Sequence, residues 1–437
     1  MFHIKTFGCQ MNVYDSEKIS GILCSLGLRQ SKDGELSDIY IVNTCAVREK
    51  SEEKLFSYLG RLNEIKKKKD TIIGVAGCVA QVEKDKIFKR APSVDFIIGP
   101  DSYKDLSSII KDAIKKREKI ISTKRHKIFQ ELDNILPLRK NNFSAYVTVM
   151  EGCNKFCSFC IVPFARGREK CRKFNVLLSE VNNLSKNGFR EITFLGQNID
   201  SYRDPETNLS LKDLLAEANN IQEIEWIRFI TSHPKDITEE FISSLSRLEK
   251  ITKYIHLPVQ AGSNQVLEKM KRGYTREEFI RKIEMIREII PDVSIGTDVI
   301  VGFPGESDDD FSKTLELLEK IKFDNLFSFK YSPRPGTAAY KMKYDVPNSE
   351  KIKRLMEVQN KQNEIQLQKN RQFLGKIVKA FVTGLSKKDP HVFSGRDEGN
   401  RVINLKANGN VLGKFIRVKI ESVGPHSLNG YLEEIID

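Results

Sequence analysis

The sequence predicts an α/β protein in three parts: an N-terminal parallel α/β domain, a central partial (β/α) barrel and a small C-terminal antiparallel β-barrel. Three observations predict this. Short β-rich runs alternate with helix-period segments over residues 2–99. Six further strand-like runs alternate with helical ones over residues 144–331. After Gly375 the pattern changes to short strands broken by Gly and Asn turns. A chain of 437 residues also exceeds what one hydrophobic core supports. The expected parts are 1–115, a basic linker at 116–138, then 139–370 and 371–437.

In the first part, runs 2–8, 38–44 and 71–77 each lead into a cysteine, at Cys9, Cys45 and Cys78. Helical patterns separate them, 16–26 with apolar Ile19, Ile22 and Leu23, and 51–65 with Leu55, Leu59 and Leu62 on one face. This alternation argues for a parallel sheet whose strand carboxyl ends share one edge, the edge where such sheets bind ligands. The three cysteines, 36 and 33 residues apart, are therefore expected to form one three-thiolate site. The alternative is three separately buried core cysteines. A fourth run, 94–99, carries no cysteine; Cys24 reads as a core residue of the first helix, and Cys171 has no evident partner.

Strand candidates in the central part are 145–150, 191–195, 226–230, 254–257, 293–301 and 326–331, with helices such as 175–187, 276–289 and 309–321 between them. Function in a barrel sits at the strand carboxyl ends. The first strand ends in Cys153-Asn-Lys-Phe-Cys157-Ser-Phe-Cys160. Three closely spaced thiolates leave one position of a metal centre open for a small molecule, whereas structural zinc and electron-carrying sites normally take four protein ligands. A zinc loop with a distant fourth ligand is the competing reading. Gly196-Gln197-Asn198, Thr231-Ser-His233-Pro, Pro258-Val-Gln260-Ala-Gly262-Ser263 and Gly302-Phe-Pro-Gly-Glu306 follow later strands, where glycines allow close backbone approach and amides can bond a ligand. His233 and His256 are not assigned a role.

Residues 348–372 read as one long charged helix with an apolar stripe of Ile352, Leu355 and Met356. The last part offers strands 377–383, 391–394, 401–405 and 414–422. It is basic through Lys379, Lys387, Lys388, Arg396, Arg401, Lys406, Lys414, Arg417 and Lys419, with Phe381 and Phe393 expected to be exposed. That combination suits nucleic-acid binding, against the plainer reading of a solvated basic surface.

With 72 Lys plus Arg against 59 Asp plus Glu, the net charge is +13. The pI near 9.1 favours an acidic partner, nucleic acid ahead of membrane. A second basic run, 115–127, lies in the linker. No long apolar segment occurs and residues 1–6 lack a signal-peptide pattern, so a cytoplasmic protein without a membrane partner is expected. In that compartment the eight cysteines read as metal ligands before disulfides.

Together these features resemble the methylthiotransferase family of radical S-adenosylmethionine (SAM) enzymes over nearly the whole chain. The resemblance rests on Lys5-Thr-Phe-Gly-Cys9-Gln-Met-Asn, the Cys9, Cys45, Cys78 set, Gly152-Cys153-Asn, Phe156-Cys157-Ser-Phe-Cys160-Ile-Val-Pro and Gly302-Phe-Pro-Gly-Glu306. It implies a radical SAM barrel and a C-terminal TRAM domain. It also implies two four-iron four-sulfur clusters, an auxiliary one on Cys9, Cys45 and Cys78 and a SAM-cleaving one on Cys153, Cys157 and Cys160. Asn43-Thr-Cys45-Ala-Val-Arg48-Glu49-Lys50, Leu195-Gly-Gln-Asn198 and Lys271-Arg-Gly-Tyr274-Thr-Arg resemble the tRNA-modifying members. Those act on carbon 2 of N6-isopentenyladenosine immediately 3′ of the anticodon. An unactivated aromatic C–H there yields neither to a base nor to an ordinary nucleophile, so a radical route is required. The resemblance implies two SAM per turnover, one methylating sulfur at the auxiliary cluster and one supplying the 5′-deoxyadenosyl radical. Gly196, Gln197 and Gly302 would help hold SAM. The tRNA anticodon stem-loop is the implied macromolecular partner, with an electron donor of the flavodoxin or ferredoxin kind and a monomeric enzyme. Two alternatives remain at this stage: methylthiolation of a ribosomal-protein aspartate, and a non-catalytic zinc-dependent RNA-binding protein.

Overall fold

A computed structural model describes residues 1–32, 35–116, 118–130, 135–139 and 141–436. Positions 117 and 131–134 of the expected linker and 437 of the expected last part lie outside the described residues. The N-terminal part is a parallel sheet of β1 (Phe2–Phe7), β2 (Ile39–Thr44), β3 (Ile72–Gly77), β4 (Phe96–Ile98) and β5 (Ile120–Ser122), arranged in that order. Helices α1 (Gln10–Ser25), α2 (Glu49–Lys66), α3 (Cys78–Glu83), α4 (Lys86–Arg90) and α5 (Leu106–Lys116) connect and cover it. Period-two alternation sorts the strands onto two cores. Tyr40, Val42, Ile73 and Val75 pack under Leu55, Leu59 and Leu62 of α2, while Ile39, Ile41, Ile72 and Phe96 pack under α1 and α5. β5 corrects the expected boundary, since residues 120–122 of the supposed linker pair with β4 and complete the sheet. A run of three strand residues amid lysines gives no sequence signal. Cys24 is also corrected: it is exposed, one position past the buried Ile22 and Leu23.

The central part places β6 (Ser144–Thr148), β9 (Glu191–Leu195) and β10 (Trp226–Ile230) in one parallel sheet, with β7 (Met150–Glu151) and β8 (Lys170–Cys171) forming a two-stranded ribbon beside it. A second parallel sheet holds β11 (Tyr254–His256), β12 (Ser294–Val301) and β13 (Asn325–Lys330). A parallel bridge between Ile227 and Ile251 carries the first sheet toward the second, giving the expected partial barrel. Around it lie α6 (Val162–Ala165), α7 (Phe174–Lys186), α8 (Leu211–Asn219), α9 (Glu239–Leu245), α10 (Asn264–Lys269), α11 (Arg276–Ile289) and α12 (Asp308–Ile321). The helix starts are written locally. Thr275 and Glu278 form a capping box on α11, and Ser307 with Asp310 another on α12, satisfying amide groups that a first turn leaves unpaired.

Helix α13 (Asn348–Arg371) runs from the barrel to the last part. Its buried face is Lys351, Arg354, Val358, Gln362 and Ile365, whereas Ile352 and Met356 point outward and Leu355 is only partly covered. The apolar stripe read from the sequence is thus displaced, because ion pairs of Lys351 with Asp345 (2.7 Å) and of Arg354 with Glu306 (2.7 Å) and Asp308 (2.7 Å) draw a charged face inward.

The C-terminal part is a closed five-stranded barrel, β14 (Ile377–Leu385), β15 (Phe393–Asp397), β16 (Val402–Lys406), β17 (Phe415–Val423) and β18 (Leu428–Ile436), in the order β14-β15-β16-β18-β17. β18 was not legible in sequence; it closes the barrel by pairing antiparallel with β17 and parallel with β16. Ala380 and Val382 fill the barrel while Phe381 between them faces out. Phe381 is nevertheless fully buried, stacked on Phe415 at 4.4 Å and edge-on to Trp226 at 6.4 Å, because the central domain docks over that face. Phe393 is likewise partly buried against the barrel core, so neither aromatic stands exposed as expected. The docking seam also spends two of the basic residues. Lys379 lies over the Phe415 ring, and Arg401 pairs with Asp397 at 2.6 Å and donates to Ser294 Oγ at 2.8 Å. Lys387, Lys388, Arg396, Lys406 and Arg417 remain exposed. Trp226 and Ser294 open β10 and β12, so the small barrel sits at the amino ends of the central strands.

Among the described residues no helix is long and apolar enough to cross a membrane. Trp226 is the single tryptophan of the chain and lies in the docking seam. Phe381→Ala should cost ~3–5 kcal/mol of docking stability and red-shift Trp226 emission before global unfolding. An unshifted spectrum in guanidinium titrations would contradict this packing.

Candidate active site

Strand register builds the first cysteine site. Phe7 pairs with Thr44 and Thr44 with Gly77, so Cys45 and Cys78 follow adjacent positions of neighbouring strands and Cys9 follows Phe7 by two. Adjacent strands lie about 4.8 Å apart, which gathers thiols distant in sequence. Cys9 is the N-cap of α1 and Cys78 the first residue of α3, after Gly77 at φ +90°, where a Cβ would fall 2.2 Å from Asn43 Oδ1. Buried Asn43, from the Asn-Thr-Cys motif, accepts from Asn12 Nδ2 (3.1 Å) and donates to Asn12 O (2.9 Å) and Ser16 Oγ (2.9 Å), tying the end of β2 to α1. The Val47 amide donates to Cys45 Sγ at 3.3 Å. The hydrogen bond with Cys45, above all, pulls the Cys9 thiol down to about 6 and pushes Cys45 up; burial pushes Cys78 up, opposed by the Arg166 charge.

The second site is the loop between β7 and α6. Gly152 at φ +82° lets the chain pass Arg168 O, which a Cβ would meet at 2.0 Å. The loop is pinned by Cys153 N to Gly167 O (3.2 Å), Cys160 N to Cys157 O (3.0 Å), Ser158 N to Met270 O (3.0 Å) and Ser158 Oγ to Lys269 O (2.7 Å). Burial holds the Cys153 thiol at about 11 and Cys160 at about 12. Arg272 donates from Nη1 to Cys157 Sγ (3.2 Å), from Nη2 to Pro258 O (2.8 Å) and from Nε to Tyr274 OH (2.9 Å).

Arg272 provides a test of what these cysteines hold. It is buried, yet among the described residues no carboxylate pairs with it, and an uncompensated buried cation is costly. A metal held through Cys157 would supply the missing anion, because a metal-bound cysteine is a thiolate. Among the described residues no three His, Cys, Asp or Glu side chains converge to hold a single ion. Three cysteines of one loop with Arg272 behind Cys157 fit a metal centre bound through thiolates.

The expected SAM-binding residues take structural partners. Gly152 N donates to Gln197 Oε1, Gly302 N donates to Glu306 Oε1 at 2.8 Å, and Gly196 packs against Met150 and Ile199. Beside them lies a polar group that the sequence reading left unassigned. Asp236 accepts from Lys155 Nζ (2.6 Å) and Asn198 Nδ2 (2.8 Å), and Asp200 accepts from Ser232 Oγ (3.0 Å) and His233 N (2.9 Å). Lys235 N donates to His233 Nδ1 at 3.2 Å, so the neutral ring carries its proton on Nε2. Among the described residues His233 Nε2 and Asn198 Oδ1 are buried without partners, one donor and one acceptor beyond the ends of β10 and β9. Such a pair suits the polar end of a small ligand. Burial lowers His233 to about 2 and raises Asp200 to about 7.

A seam of buried charge joins the two cysteine-bearing domains. Arg139 pairs with Glu17 (2.8 Å) and Glu180 (2.6 Å), Arg172 with Glu180 (2.7 Å), and Lys170 with Asp101. Arg166, next after α6, reaches Asp15, Glu151 and Cys78. Only a tertiary view could find Arg166, since nothing in its spacing marks it; Arg272 at least lay within the Lys271-Arg-Gly-Tyr274 motif.

Two family models match the chain: Uncharacterized protein family UPF0004 over residues 1–99 and the Radical SAM superfamily over residues 147–318. The chain is 42% identical over 434 residues to the tRNA-2-methylthio-N(6)-dimethylallyladenosine synthase of Acetivibrio thermocellus, covering 98% of this chain and 90% of that protein. It is 43% identical over 432 residues to the protein of the same name from Thermotoga petrophila, covering 98% and 96%. Among solved structures it is similar in fold to the radical S-adenosylmethionine methyltransferase TsrM from Kitasatospora setae with cobalamin and a 4Fe-4S cluster bound. The TM-score is 0.55 at 13% identity, over 78% of this chain and 77% of that one. The cobalamin-dependent S-adenosylmethionine radical enzyme OxsB matches at TM-score 0.52 and 14% identity, over 83% and 56%.

Asp200 gives a pH signature. Its folded value near 7 exceeds the ordinary 3.8, so the folded state holds this proton more tightly than the unfolded chain. Its contribution to stability is fully present below the ordinary value, falls as pH rises, and is lost above about 7. Asp200→Asn, mimicking the protonated acid, should flatten the fall of the melting midpoint between about pH 4 and 7; an unchanged slope would refute the burial of this carboxyl.

Proposed function

The chain belongs to the radical SAM methylthiotransferase family, in the branch of the tRNA-2-methylthio-N(6)-dimethylallyladenosine synthases, and on that premise we propose how its own residues carry out the reaction. It is a transferase that replaces the C2 hydrogen of N6-isopentenyladenosine in tRNA, immediately 3′ of the anticodon, with a methylthio group. The observation that carries this reading is the pairing of two three-thiol sites, Cys9, Cys45, Cys78 and Cys153, Cys157, Cys160, on domains joined by a buried charge seam.

In this reading Cys153, Cys157 and Cys160 would hold one 4Fe-4S cluster, the one that acts on SAM, and Cys9, Cys45 and Cys78 would hold a second. When bound, these groups supply the electron that cleaves SAM and the sulfur that is transferred, with two SAM used per turnover. The chain supplies position. Arg272 neutralises one thiolate of the first site from behind. Asn198 and His233 offer the unpaired acceptor and donor for the amino-acid end of SAM, with Gly196, Gln197 and Gly302 shaping the strand ends around it. A carbon-centred radical requires that water and stray hydrogen donors stay out, and the fully buried β9 and largely buried β10 form such a wall.

The exposed basic residues of the small barrel grip tRNA phosphates, with an affinity that falls steeply with salt. The target base leaves its stack to reach the thiols, which costs least in a single-stranded anticodon loop. A monomeric cytoplasmic enzyme fed by a flavodoxin or ferredoxin completes the proposal. The full-length relatives favour tRNA over a ribosomal-protein aspartate, and the radical SAM match over residues 147–318 favours iron–sulfur over zinc.

Anaerobic incubation of reconstituted protein with isopentenylated tRNA, SAM and reductant should yield a nucleoside heavier by one CH2S unit in mass spectrometry. Cys157→Ala should abolish SAM cleavage to 5′-deoxyadenosine, whereas Cys45→Ala should retain cleavage and lose the methylthio product. Cleavage without product in the fully loaded wild type would overturn the substrate assignment.

A further inference from the structure

Among the described residues Arg166 is the largest fully buried side chain, and from the end of the central cysteine loop it hydrogen-bonds a thiol of the other cysteine site. Its Nε donates to Cys78 Sγ at 3.3 Å, its Nη1 to Asp15 Oδ1 and Glu151 Oε1 at 3.2 Å each, and its Nη2 to Asp15 Oδ2. Asp15 belongs to α1, which Cys9 caps, and Glu151 stands two residues before Cys153. Arg166 itself follows Cys160 through the single turn of α6, and Gly167 O accepts from Cys153 N at 3.2 Å. One guanidinium therefore touches structure contiguous with both thiol sets.

We propose that Arg166 is a positioning residue through which the central cysteine loop orients Cys78 and raises the reduction potential of the cluster held by Cys9, Cys45 and Cys78. The inference rests on the two-cluster reading above. A hydrogen bond to a ligating sulfur draws electron density from it, and net charge and hydrogen bonding are the main levers a protein has on cluster potential. The planar fork makes four directed hydrogen bonds to three residues at once, which the single ammonium of lysine cannot reproduce. Loss of the guanidinium leaves Asp15 and Glu151 facing the thiolates, so charge and hydrogen bond act in the same direction.

The test isolates the N-terminal site in the full-length chain carrying Cys153→Ala, Cys157→Ala and Cys160→Ala, reconstituted with iron and sulfide. Its potential is followed by EPR during redox titration. Arg166→Gln combined with Asp15→Asn keeps the buried charge balanced and should favour the oxidised form at least tenfold, a shift of about 59 mV for one electron, with an altered EPR line shape. Arg166→Lys should recover less than half of the shift. Lys170→Met with Asp101→Asn removes a neighbouring buried pair that touches no cysteine and should leave the potential unchanged. An unchanged midpoint in the loaded Arg166 variants, or an equal shift in the Lys170 control, overturns the inference alone. A chain whose Cys9, Cys45 and Cys78 bind no iron overturns the two-cluster reading and the inference with it. If the double variant fails to fold, Arg166→Lys decides by the same criterion.

Discussion

A charge taken out of water must find an opposite charge, and that constraint organises the centre of this molecule. Arg166, Arg172, Arg139 and Lys170 are buried between the first two domains, and each meets carboxylates from Asp15, Glu151, Glu180, Glu17 or Asp101. Apolar residues could seal such a seam as firmly, since buried ion pairs add little net stability over a hydrophobic equivalent. What ion pairs impose is geometry, because a shifted register leaves charges unpaired. The seam thus fixes where the edge of the N-terminal sheet stands against the mouth of the barrel.

The two cysteine sites are alike in having one guanidinium each and unlike in how it is balanced. Arg166 has two carboxylates besides Cys78. Arg272 has a tyrosine hydroxyl, a carbonyl and Cys157. The first cation is largely neutralised before any thiolate ionises; the second waits for one. Equal donor sets can therefore sit in different fields, which is how one protein gives two centres of the same ligand type different electronic character.

Much of the fold was legible because its signals are local. The cysteines at three strand ends and the βα alternation depend on neighbours in sequence. The misses share a cause of another kind. Phe381 faces outward by alternation, as its strand pattern says, but a second domain covers it. Ile352 and Met356 read as an apolar stripe, yet the ion pairs of Lys351 and Arg354 turn the helix the other way. β5 and β18 are recognised by the strands they pair with, and neither carries a strong pattern alone. At the site the thiols were visible, while Arg166, Asp200 and His233 gain meaning only from tertiary partners, such as Asp15 151 positions from Arg166 and His233 33 positions from Asp200.

The small barrel is seated on Trp226 and Ser294, where the central strands begin, while the thiols lie where those strands finish. Strands of five to eight residues span roughly 17–27 Å. A polyanion that engages both regions must therefore bridge that length along the outside of the domain. A mononucleoside or a very short oligomer cannot, and is confined to one end. With RNA held as proposed, the separation of the two regions makes the architecture a molecular ruler, sensitive to the reach of a folded RNA independently of the base it offers.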